Sequence, residues 1–457
     1  PDSDALPSQG YFANYAVSQA CSILSMTNDE LMASGYRIYT TMDSKLQELA
    51  ENALADDTLF PDDAQDGTQV QGAMVILDAR TGAIAAMAGG RDSDAKGLNR
   101  AADMNRQPGS AFKPVMVFAP ALINGDYTTA TQLNDQPTSF GNYSPRNYGD
   151  TYNGKVTLRQ IVAKSLNEPA VSILDDIGVE TGKNFASSVG ISFNEQDTGL
   201  SLALGGLTDG VSPLALSAAY QPFANGGTYT APNCITKIAD ANGNILYQNE
   251  PTSYTVMDPE NAFLLTDMLH SAVEWGTAAR LNLAGIPLAC KTGTTDYAGG
   301  GNKDAWAVAY NPDYITCAWM GFDHTDAAHH LPTSVTGGSG PAKLIKQVYQ
   351  GAYPEEDGPW YAQPDGIVKV ELNAKTLTLA YPPSGNTTET IEEYFIRGTE
   401  PRANGITELF PSGGLPSPAV SSSPAPLASP SPTSKRISPS PTFGFSSPRS
   451  SPAAATP

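Results

Sequence analysis

A chain of 457 residues is long enough for two or three domains, and its 40% apolar and 8% aromatic content can fill a large core. Its net charge of −21, with a sequence pI near 4.5, excludes the basic footprint that nucleic acid or an anionic membrane surface requires. The four cysteines (Cys21, Cys234, Cys290, Cys317) include no C-x-x-C pair, and the four histidines include one doublet, His329–His330, so no metal or cofactor is expected. Cysteine usage alone decides neither a disulfide pairing nor a compartment. No run of about 18 apolar residues could cross a bilayer. The chain starts with Pro1 and no signal-peptide pattern, and it reads as a fragment or a processed product.

In chain order, "TTMDSKLQELAENALAD" predicts a helix with Asp43 as its N-cap. Leu46, Leu49, Ala50, Ala53 and Leu54 lie at the spacing of one apolar face. An acidic loop follows. Then Gly72–Gly90 predicts two strands joined by a turn at Asp78–Gly82. A long segment with helical patterns comes next. Beyond it, "IPLACKTGTT", "DAWAVAY" and "YITCAWMGF" predict three more strands, the last two joined at Asn311-Pro312-Asp313. Hairpins favour antiparallel pairing. The economical fold is α+β: a five-stranded antiparallel sheet flanked by helices, with a helical insertion between its second and third strands. From Pro411 to the end, serine and proline supply 26 of 47 residues, a composition that cannot bury enough surface to offset its ordering entropy.

Three short motifs carry chemistry. In "RQPGSAFKPVMVF", Pro114 fits a helix only in its first turn, so the helix should begin near Gly109 or Ser110. Ser110 and Lys113, three apart, then share a face, and the amine can reach the hydroxyl. "KSLNEPA" holds Ser165 and Asn167 in an S-x-N pattern, and "ACKTGTT" holds Lys291-Thr292-Gly293-Thr294. Each motif occurs by chance. S-x-x-K, S-x-N and K-T-G-T in that order form the motif set of penicillin-binding proteins and serine β-lactamases.

The resemblance extends beyond the motifs. "GYRIYTTMDSKLQ", "RNYGDTYNGKVTLRQIVAKSLNEPAV", "LALGGLTDGVSPLALSAAYQPFANGG", "DAWAVAYNPDYITCAWMGFD" and "EEYFIRGTEP" are similar to stretches of the transpeptidase domain of class A (bifunctional) penicillin-binding proteins. They run from about Gly35 to Pro401. "YFANYAV" resembles the joint after that family's glycosyltransferase domain. The resemblance implies four parts: a linker remnant and lead-in helix at 1–67, a penicillin-binding core at 68–330, a C-terminal extension at 331–405, and a disordered Ser/Pro-rich tail at 406–457. It also implies an extracytoplasmic location, held to the membrane only by an N-terminal anchor missing from this chain, with a glycosyltransferase domain upstream.

What the resemblance implies for chemistry is a serine-type D-Ala-D-Ala transpeptidase acting on peptidoglycan stem peptides and covalently inhibited by β-lactams. Ser110 would form the acyl-enzyme, with Lys113 as its base. Neutralising a lysine near pH 7 costs about 4–5 kcal/mol. Burial beside Phe112, the helix N-terminus and Lys291 as a second cation would supply it. Ser165 would relay a proton and Asn167 would hold a substrate amide. Thr292 and Thr294 would bind the terminal carboxylate, and Gly293 would let the backbone approach the substrate. The backbone N–H groups of Ser110 and Thr294 would form the oxyanion hole. A D,D-carboxypeptidase or a non-catalytic β-lactam sensor would share these residues. A class A β-lactamase would add a glutamate in an E-x-x-L-N pattern, which does not follow Asn167. Cys290 stands where the family usually has glycine. It reads either as a small buried hydrophobe or as a thiol activated by Lys291. His329–His330 and Trp275 have no motif context and are expected in a surface loop and in the core.

Overall fold

The two apolar hairpins foreseen on either side of the helical segment come together as one sheet in the computed structural model, which describes residues 10–92, 97–355, 357–380 and 389–401. The Ser/Pro-rich tail lies outside the described residues. Helix α1 (Tyr11–Leu24) precedes helix α2 (Ser44–Ala55), and Asp43 caps α2 by accepting from Lys45 N at 2.9 Å and Leu46 N at 3.0 Å. The sheet strands are β1 (Gln71–Asp78), β2 (Ile84–Ala88), β3 (Ala289–Asp296), β4 (Asn302–Tyr310) and β5 (Tyr314–Gly321). Their order is β3-β4-β5-β1-β2, antiparallel throughout, so β3 with its K-T-G-T motif is an edge strand. The turn joining β1 to β2 is pinned by Asp78, whose carboxylate accepts from Arg80 N, Thr81 N and the Thr81 hydroxyl. The turn from β4 to β5 is held by Asn311 Oδ1, which accepts from Asp313 N and Tyr314 N.

The sheet is covered on both faces, which is why its strands read as continuous apolar runs. One face carries Met74, Ile76, Cys290, Ala307 and Met320 against α2 and helix α6 (Pro341–Ala352). The other carries Val75, Leu77, Trp306, Val308 and Trp319 against the helical insertion. Within that insertion, helix α3 (Leu158–Lys164) leads into the S-x-N turn, helix α4 (Glu168–Ile177) leaves it, and helix α5 (Pro259–Glu274) returns towards β3. Past the sheet, strands β6 (Ile367–Asn373) and β7 (Thr390–Ile396) pair as a separate antiparallel hairpin.

Trp275, expected in the core, is 47% exposed. It is the residue at which α5 stops, and the close contact falls to its neighbour: a Cβ at Gly276 would overlap the carbonyl oxygen of Ala163. Glycine takes the close contact and the indole is left at the surface. His329 and His330 do lie in a loop, between β5 and Leu331. His329 sits between two carboxylates, 2.9 Å from Asp66 and 2.9 Å from Asp326.

Candidate active site

Ser110 lies in a 3-10 turn, Gly109–Phe112, that continues through a π-type turn, Pro114–Phe118, into helix Ala119–Asn124. The start is the one the sequence predicts, but Pro114 opens the π-type turn rather than lying in the first turn of the whole element. The approach to Ser110 is fastened at successive residues. Arg106 Nε bonds Asp304 of β4 at 3.0 Å, Gln107 Nε2 bonds Leu207 O at 3.0 Å, and Trp306 Nε1 bonds Gln107 O at 3.0 Å. Gly109 has φ +55°, in the left-handed region, and a Cβ there would stand 2.5 Å from Thr294 O and 3.0 Å from Thr294 N. A Cβ at Gly293 would overlap the carbonyl oxygen of Pro108. The glycine of K-T-G-T is therefore required by contact with the serine turn itself, a reason not foreseen from sequence.

The three motifs meet at Ser165. This residue ends α3 with φ +57°, rare for a residue with a side chain. Lys291 Nζ donates to its hydroxyl at 2.6 Å, and Lys113 Nζ lies 3.5 Å from the same oxygen. Lys113 also donates to Ser165 O (2.8 Å), Leu166 O (2.8 Å) and Asn167 Oδ1 (2.7 Å). The hydrogen bonds of the amine go to this turn and none to Ser110, whose hydroxyl has no partner among the described residues. Asn167 is engaged at both ends of its amide, since Nδ2 donates to Arg146 O at 2.7 Å. It keeps one lone pair and one N–H for a ligand.

On β3, Thr292 and Thr294 share one side, opposite Lys291, as strand alternation requires. The Thr292 hydroxyl donates to Thr277 Oγ1 at 2.8 Å, and Thr294 Oγ1 accepts from Gly337 N at 3.3 Å. The 275–278 corner and the Thr336–Gly340 loop thus back the strand edge, and neither is marked by a sequence motif.

Both lysines are fully buried and neither has a carboxylate partner among the described residues. Burial, with the nearby charge of Lys291, holds the Lys113 amine well below the ordinary lysine range. Burial brings Lys291 down to about 7. Cys290 is buried on the opposite face, and burial pushes its thiol up to about 12 despite the adjacent Lys291. It is the small buried hydrophobe of the two readings. All four cysteines are free.

A family model for the penicillin binding protein transpeptidase domain matches residues 72–350. Penicillin-binding protein 1F of Bacillus subtilis is 37% identical over 377 residues, covering 81% of this chain and 51% of the relative. Penicillin-binding protein 1A/1B of Bacillus subtilis is 31% identical over 386 residues, covering 81% of this chain and 41% of its own length. The chain therefore spans about half the length of these curated relatives. Among solved structures, penicillin-binding protein 1A from Haemophilus influenzae shares the fold with a TM-score of 0.71 at 23% identity, over 86% of this chain and 76% of that one. PonA1 from Mycobacterium tuberculosis, in complex with penicillin V, gives 0.68 at 22% identity, over 78% and 96%.

Proposed function

Because the chain belongs to the penicillin-binding protein family, as the transpeptidase domain of a class A member, we propose that it is a D,D-transpeptidase that cross-links peptidoglycan stem peptides through an ester on Ser110. The observation that carries this reading is the convergence on Ser165 Oγ, with Lys291 at 2.6 Å and Lys113 at 3.5 Å. Two lysines from two motifs, both buried, bracket one hydroxyl from the third.

In the first half-reaction Ser110 Oγ attacks the carbonyl between the two terminal D-alanines. Lys113, neutral, takes the hydroxyl proton. The developing oxyanion lies between the N–H groups of Ser110 and Thr294, a reading supported by the close approach of Gly109 to the Thr294 backbone. The C–N bond breaks, and the leaving D-alanine amine receives a proton through Ser165. The hydroxyls of Thr292 and Thr294 bind the terminal carboxylate, and Lys291, as a cation on the other side of the strand, holds the Ser165 hydroxyl. The free lone pair and N–H of Asn167 hold the donor peptide. In the second half-reaction an acceptor amine attacks the ester, gives up a proton by the same path, and restores the Ser110 hydroxyl. Penicillin would acylate the same serine.

Among the described residues no helix is long and apolar enough to cross a membrane. We place the domain on the extracytoplasmic face of the bacterial membrane, tethered and joined to a glycosyltransferase domain through sequence upstream of residue 1. The test uses fluorescent penicillin and a stem-peptide donor with an amine acceptor. Wild-type protein should label once per chain and yield cross-linked product by mass. Ser110→Ala should fold and lose the label. Label retained on the mutant at another serine would remove Ser110 from this role, and trimmed rather than cross-linked product would make the domain a carboxypeptidase.

A further inference from the structure

We infer that Asn147 is the positioning residue of the S-x-N turn, freeing Asn167 to serve Lys113; this rests on the acylation chemistry proposed above. Asn147 lies on the loop between strands Gln132–Asp135 and Gly154–Thr157, and it is 5% exposed. Its amide is used in full. Oδ1 accepts from Asn167 N at 2.8 Å and from Glu168 N at 3.2 Å. Nδ2 donates to Asp135 Oδ1 at 2.6 Å and to Thr151 O at 2.9 Å. Asp135 is itself completely buried and is fixed in turn by Asn153, whose backbone and side-chain N–H groups both reach its other oxygen.

The consequence appears at the start of α4. Asn167 occupies its N-cap, where an asparagine ordinarily turns its side-chain oxygen onto the N–H groups of its own helix. Here it makes no such bond. Asn147, reaching across from another loop, satisfies the N–H of Asn167 and of Glu168, and Pro169 has none to satisfy. The Asn167 oxygen is left for Lys113 at 2.7 Å. The other two close acceptors of Lys113, the carbonyls of Ser165 and Leu166, belong to the same turn. One buried amide thus holds from behind the segment that supplies every acceptor of the Lys113 amine. Without it, the Asn167 oxygen can fall back onto the Ala170 N–H, and the lysine loses both an acceptor and a fixed place.

The test is the acylation rate constant at saturating fluorescent penicillin, measured against pH. A first-order constant counts only folded molecules, so reduced stability alone leaves it unmoved. Asn147→Ala should lower it about 100-fold, the cost of a misplacement near 1 Å, and should displace its pH midpoint, because the surroundings of Lys113 have changed. Asn147→Gln keeps the accepting oxygen and the donor but sets both one methylene further out, so it should fall between wild type and Asn147→Ala. If Asn147→Ala does not fold, Asn147→Gln carries the comparison with wild type. A rate constant and pH midpoint equal to wild type in the variants that fold overturn the positioning role. An unlabelled wild type would instead sink the acylation reading beneath it.

Discussion

Lys113 and Lys291 are buried amines whose hydrogen-bond partners are neutral oxygens throughout. No carboxylate among the described residues offsets the cost of burying their charge, so both titrate below the ordinary lysine range. The assigned roles need opposite states, a neutral Lys113 and a charged Lys291. Acylation should therefore rise with pH as Lys113 loses its proton and fall again above about 7 as Lys291 loses its own. The two limbs can be separated by substitution, because arginine keeps its charge across this range. Lys291→Arg should retain acylation and lose the falling limb. Lys113→Arg should abolish acylation at every pH. Penicillin-labelling rates of the two variants against pH check this, and the reverse ranking would exchange the roles of the two lysines.

Elements bring these residues together, and one of them lies past the residues that the family model matches. The β6–β7 hairpin carries Glu393, 3% exposed, which grips Arg159 of α3 through both oxygens, Nε at 2.8 Å being one contact. Arg159 Nη2 also bonds Asp267 of α5 at 2.5 Å. Removing one partner of a buried pair costs about 3–5 kcal/mol. Glu393→Gln should fall toward the lower end, since Asp267 remains, and a denaturant titration will measure it; a loss within experimental error would make the hairpin an ornament of the fold. The strand Ile367–Asn373 is not among those the sequence predicts, and its partner Thr390–Ile396 lies well down the chain, where the pairing is not readable. An asymmetry runs through the site. Ser110, Lys113, Ser165, Asn167 and Lys291 stand out because their chemistry is tied to fixed short spacings. Asn147, Thr277 and Gly337 are ordinary loop residues whose meaning comes from partners 20, 15 and 43 positions away. Trp275 misleads for a related reason, because its size favours the interior while the glycine beside it takes the contact.

Across the whole molecule the charge is strongly negative, −21, yet no carboxylate bonds Ser110, either buried lysine or the side chains of the S-x-N turn among the described residues. That distribution decides the fate of an acyl-enzyme. Hydrolysis of the ester requires a base to activate water, and such help is worth about 10²–10⁴ in rate. Glu168, the carboxylate next to Asn167 in sequence, is 2% exposed, and burial raises its pKa, with the charge of Asp135 adding to the effect. Buried there, it has no open route to a hydrolytic water. Lys113 has passed the Ser110 proton on through Ser165, and its hydrogen bonds all go to the S-x-N turn rather than towards Ser110. A D-alanyl ester can still be relieved by an incoming amine, which brings its own nucleophilicity once D-alanine has left. The opened penicillin ring stays attached and occupies the place of that amine. The penicilloyl adduct on Ser110 should therefore persist for minutes to hours, long after a D-alanyl ester has turned over. Intact-mass spectra at successive times after removal of free penicillin will follow it. Disappearance of the adduct within seconds, with penicilloic acid accumulating catalytically, would require a water-activating group that this arrangement does not provide, and would place the chain with the β-lactamases.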